Sequence, residues 1–88
     1  MPYSVRYKRA AAAEINQASA FVKDLERTES HLRTQPALYQ RVEGEIRRAV
    51  LRRFPYSLFY IIEQDQVIVL AFTHQHQKPR TREELIKP

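Results

Sequence analysis

The chain has 88 residues, no cysteine, and 15 Lys+Arg against 10 Asp+Glu, a net charge of +5. That length suits one domain, 1–88, with a small core, and the missing cysteines exclude disulfides, thiolate zinc sites and cysteine nucleophiles. Residues 1–13 lack the apolar stretch of a secretion signal, and the apolar runs Phe59–Ile62 and Val67–Phe72 fall far short of the ~20 residues that span a bilayer; the reading is a soluble, cytoplasmic protein without membrane contact, whose positive excess suits an acidic partner.

Tyr3, Val5 and Tyr7 alternate with Ser4, Arg6 and Lys8, the period of a strand with one apolar face. From Ala10 to Thr34 there is no Gly or Pro, and Ala11, Ile15, Ala18, Val22, Leu25 and Leu32 keep a spacing of three or four, which predicts helix with one buried stripe broken only by Glu29. Pro36 ends that helix, since it lacks an N–H and pushes its predecessor out of the helical region. A polar connection, "ALYQRVEG", leads to Gly44, and "EIRRAVLRRFPY" predicts a third-quarter strand with imperfect alternation. "YSLFYIIE" and "VIVLAFTH", separated by "QDQ", predict a β-hairpin from their β-branched and aromatic content. Thr81 and Glu84 have capping-box spacing, so "REELIK" predicts a short helix or turn. The fold class is α+β: one small antiparallel sheet of about four strands packed against an N-terminal helix or helical hairpin.

His74 and His76 lie two apart at a strand end, on one face by alternation, where they could share a metal or act as a base. Zinc needs more ligands than these two, and His31 is the remaining histidine, so no metal and no cofactor is expected. "RRAVLRR", 47–53, holds four arginines and no acid; its guanidinium groups suit phosphate or carboxylate, or else cover apolar neighbours with their stems. Tyr56 and Tyr60 have the spacing of core residues and could also stack on bases. No carboxylate pair is suited to acid–base chemistry.

With strand, helix, "RTQPALY", "EIRRAVLRRFPYSLFYIIEQDQVIVLAFTH" and a following "KP" in place, the chain resembles the ParE/RelE superfamily of type II toxins, best over residues 32–79. The resemblance implies a small basic toxin, serving plasmid stabilisation, that a cognate antitoxin neutralises. One branch cleaves mRNA on the ribosome; the ParE branch inhibits DNA gyrase. The nuclease branch commonly carries arginines where this chain has Ser57 and Gln77, which implies a gyrase inhibitor rather than an enzyme, with the ribosome-dependent nuclease and a non-toxic binding remnant as alternatives. For a nuclease the candidates are His74, His76, Arg52 and Arg53; for partner binding they are Arg47, Arg48, Arg52, Arg53, Lys78, Arg80 and Arg82.

Family members place two antiparallel helices before the proline that matches Pro36, in roughly 40 residues. The shorter segment here and its unbroken stripe favour one helix of roughly 37 Å at ~1.5 Å per residue. A single helix would leave apolar surface open at Ile15, Phe21, Val22 and Leu25, so a homodimer through the Ala10–Thr34 region is expected.

Overall fold

The period-two segment Ser4–Tyr7 forms the first strand, β1, with Val5 and Tyr7 against the core and Ser4 and Arg6 exposed. A computed structural model describes residues 2–16, 22–74 and 82–86. After β1 come two helices, α1 (Arg9–Asn16) and α2 (Val22–Thr34), and these correct the expectation of one long helix. In a continuous helix, Ala12 and Glu29 would stand about 25 Å apart at ~1.5 Å per residue. Instead Ala12 and Ile15 of α1 line the same open pocket of about 230 Å³ as Leu25 and Glu29 of α2. The helices therefore lie side by side, and residues 17–21 between them lie outside the described residues. A 37 Å helix would also exceed the molecule's longest extent of 31 Å. The continuous stripe misled because both helices bury the same kind of face: Ala11 and Leu32 are fully buried, and Ile15 and Leu25 pack against the same core.

Glu29 breaks the stripe because it has a partner there. Its carboxylate accepts the Tyr7 hydroxyl at 2.5 Å and the Arg33 guanidinium at 2.6 Å, tying α2 to β1. Burial, with Glu29 beside it, pushes the Tyr7 phenol far above its ordinary range. The helix stops at Thr34, as the proline requires, and Pro36–Leu38 forms a short 3-10 turn.

The segment read as a plain connection contains a strand, β2 (Arg41–Glu43), all of it exposed. It pairs with β3 (Ile46–Val50) across a turn at Gly44, whose φ of 54° is one that glycine adopts without steric cost. Three residues with no apolar alternation gave no sequence signal, and pairing alone makes them a strand. The hairpin of β4 (Tyr56–Glu63) and β5 (Gln66–His74) forms as expected, turning at Gln64 and Asp65. The sheet order is β1-β5-β4-β3-β2. It thus has five strands rather than about four, and it is mixed: β1 runs parallel to β5, from Ser4↔Gln66 to Tyr7↔Val69, and the other pairs are antiparallel. Local pattern says nothing of this pairing, which joins the two ends of the chain.

The helices cover one face of the sheet, over Ala49, Leu58, Tyr60, Val67, Val69 and Phe72. In β5 a register shift between Tyr60↔Val69 and Phe59↔Ala71 leaves Leu70 without a cross-strand partner. That bulge puts Leu70 and Ala71 together on the second face and returns Phe72 to the first. On the second face, Ile46, Leu70 and Ala71 meet Leu85 of α3 (Arg82–Ile86), the short helix expected at "REELIK". Its proposed cap, Thr81, lies outside the described residues. Among the described residues no helix is long and apolar enough to cross a membrane.

Candidate interaction site

Strand pleating splits the four arginines of "RRAVLRR" among three environments. Arg47 and Ala49 face the helices, with Arg47 opposite Tyr60, while Arg48 lies opposite Phe59 on the second face. Arg47 is half-buried, and its guanidinium donates to the Tyr39 carbonyl at 2.6 Å and the Ala37 carbonyl at 3.1 Å. It clamps the Pro36–Leu38 turn against the sheet. Tyr60 assists: fully buried, it donates its hydroxyl to the Pro36 carbonyl and meets the Tyr39 ring edge-on with centroids 6.4 Å apart. Burial holds the Tyr60 phenol far above its usual range, with the nearby Arg47 charge opposing that shift.

Arg48, Arg52 and Arg53 are exposed. The last two sit in the loop joining β3 to β4, whose backbone closes with Leu51 N–H donating to the Tyr56 carbonyl at 2.9 Å. Leu51 is buried and Phe54 packs half-buried against the core, so the loop is anchored on either side of its arginines. A third anchor comes from α2. Asp24, only 3% exposed, accepts the backbone N–H of Arg53 at 2.7 Å and of Phe54 at 3.2 Å on one carboxylate oxygen.

Beside this loop, β4 and β5 end in an aromatic cluster. Tyr56 stacks on Phe72 with centroids 4.8 Å apart and planes 4° from parallel, and His74 meets Tyr56 edge-on at 5.2 Å. Glu14 of α1 accepts the Phe72 backbone N–H at 3.2 Å, fixing β5 just past its bulge. Tyr60 is thus a core residue, and Tyr56 is half-buried within the cluster. Ser57 is 3% exposed, flanked by Val50 and Thr73 on the neighbouring strands, and points away from the face that carries Tyr56 and His74. His76, Gln77, Lys78 and Arg80 lie outside the described residues; Arg82 opens α3, and its side chain is not described. Among the described residues no three of His, Asp and Glu gather as metal ligands would.

Sequence reading singled out neither Asp24 nor Glu14. Asp24, Thr28 and Leu32, four apart, share one buried stripe of α2. The Thr28 hydroxyl bonds back to the Asp24 carbonyl at 3.1 Å, satisfying its own burial.

A profile for the ParE toxin of the type II toxin-antitoxin system parDE matches residues 5–79. The chain belongs to that family. This ParE-family toxin is also similar in fold to solved structures at low sequence identity. The chromosomal ParDE system of P. aeruginosa superposes with a TM-score of 0.69 at 18% identity, covering 82% of this chain and 95% of that one. The isolated RelE toxin of E. coli gives 0.72 at 17% identity, covering 86% and 87%. The RelBE2 toxin–antitoxin complex of Mycobacterium tuberculosis gives 0.67 at 20% identity, covering 84% and 99%. No curated protein matches the sequence.

Proposed function

We propose that this toxin acts by binding DNA gyrase in the cytoplasm, without cutting RNA, and that a cognate antitoxin neutralises it. The observation that carries the reading is the burial of Ser57. Cleavage of a phosphodiester needs a base and cations placed where charge develops on the phosphate. At the position where the nuclease branch commonly has an arginine, this chain has a neutral side chain, 3% exposed and turned to the opposite face from His74. The exposed Arg48, Arg52 and Arg53 suit contact with an acidic protein segment instead. A plasmid carrying toxin and antitoxin together would be stabilised by the pair. The premise for a homodimer was a single helix covering too little sheet, and the paired helices remove it.

The deciding experiment compares two readouts after tight induction: supercoiling by purified gyrase with added toxin, and primer extension on ribosome-bound mRNA. Loss of supercoiling with intact mRNA supports the proposal. Codon-linked cleavage would transfer the assignment to the nuclease reading, with His74 and the Arg52–Arg53 loop as its machinery. Silence in both assays would mark a binding-only remnant. Changing Arg48, Arg52 and Arg53 together to glutamate should weaken antitoxin binding and toxicity while the fold persists.

A further inference from the structure

We infer that Asp24 is a positioning residue, holding the Arg52–Pro55 loop in the shape that presents Arg52 and Arg53 to an acidic protein segment. The inference deepens the reading above, since it rests on the arginine loop being a docking surface. Its observations are geometric. Asp24 lies in the first turn of α2, far from the loop in sequence, yet one of its oxygens gathers two consecutive loop N–H groups, those of Arg53 and Phe54. A backbone amide pair held from inside fixes the direction in which the flanking side chains leave the chain. Phe54 packs half-buried against the core, and Arg52 and Arg53 go to solvent. No ion pair holds either guanidinium among the described residues, so the positive charge is available to a partner.

The second carboxylate oxygen of Asp24 is buried with no hydrogen-bond partner. Its other oxygen reaches from α2 to loop amides 29 and 30 residues away. Asp24 thereby links the helical layer to the arginine surface through one side chain.

The test uses the ¹⁵N-labelled toxin with a hexaglutamate peptide as probe at low salt, comparing wild type with Asp24→Asn and Asp24→Ala. Amide exchange at Arg53 and Phe54 reports the loop, and the arginine Nε–H signals report the peptide. In wild type, the Nε–H signals of Arg52 and Arg53 should move together on titration. Asp24→Asn keeps an oxygen acceptor, so both amides should stay protected and the affinity should fall less than about threefold. Asp24→Ala should speed exchange of both amides at least tenfold and weaken peptide binding at least fivefold, with an unchanged far-UV spectrum. Unmoved arginine signals in wild type would overturn the inference. So would full affinity in a folded Asp24→Ala protein with a released loop, or loss of binding in Asp24→Asn with its amides still protected. The last comparison stands even where Asp24→Ala does not fold. None of these readouts uses gyrase, so an inactive toxin would sink the target assignment and leave this test intact.

Discussion

Replacing Arg47 by methionine separates a structural arginine from those available to partners. Methionine keeps an apolar stem beside Tyr60 and removes the guanidinium that bonds the Tyr39 and Ala37 carbonyls. Hydrogen bonds from charged donors contribute about 1.5–3 kcal/mol when shielded and much less when water competes. The bond to Tyr39 is part-buried at 2.6 Å, so about 1.5–2 kcal/mol is assigned to it. The bond to Ala37 is exposed at 3.1 Å and is discounted to about 0.5 kcal/mol. The expected loss is about 2 kcal/mol, and in a domain of this size that lowers Tm by roughly 8–16 °C. Arg48→Met is the control: that side chain is exposed, and its expected effect lies within about 0.5 kcal/mol. Thermal melts followed by circular dichroism measure both. If Arg47→Met melts within about 2 °C of wild type, or no lower than Arg48→Met, the clamp contributes nothing and Arg47 returns to the pool of surface cations.

Three other outcomes are expected. Stability should hold at neutral pH and fall above about pH 10, because Tyr7 and Tyr60 titrate near 10.0 when unfolded but are held neutral to higher pH in the fold; the unfolded chain then binds fewer protons, and each tyrosine costs up to about 1.4 kcal/mol per pH unit. Urea unfolding near pH 8 and near pH 11 should show a smaller drop in a Tyr7→Phe, Tyr60→Phe double variant than in wild type, and equal drops would refute the cause. Leu32→Ala empties a fully buried position between α2 and the sheet and should cost about 2–5 kcal/mol by urea denaturation; a loss below about 1 kcal/mol would mean that the helix layer collapses to fill the gap. Gln64→Gly should stabilise the β4–β5 turn by up to about 1 kcal/mol, because Gln64 is exposed and has φ of 55°, and a lower Tm in the variant would show that the glutamine side chain holds the turn.

The site was only partly legible before folding. Arg52, Arg53 and His74 stand out because charge and histidine are visible in any sequence, and the structure brings their chain segments to one end of the sheet. Arg47 looks identical to its neighbours, and only the approach of the Ala37 and Tyr39 carbonyls separates it from them. Asp24 carries no local mark of a functional group, because its partners lie 29 and 30 residues away.

By itself the sequence determined the elements whose periodicity is strong. The alternation in Ser4–Tyr7, the β-branched runs of the β4–β5 hairpin and the stop at Pro36 each encode a local preference that folding only had to accept. Tertiary structure decided what depends on distant partners. A helical stripe reads the same whether one helix or two bury it, because both present apolar residues every three or four positions, and only packing on the shared sheet folds α1 back beside α2. The parallel pairing of β1 with β5 and the three-residue β2 exist because backbone N–H and C=O groups need partners wherever the fold places them, and hydrogen bonds between main chains carry no side-chain signature.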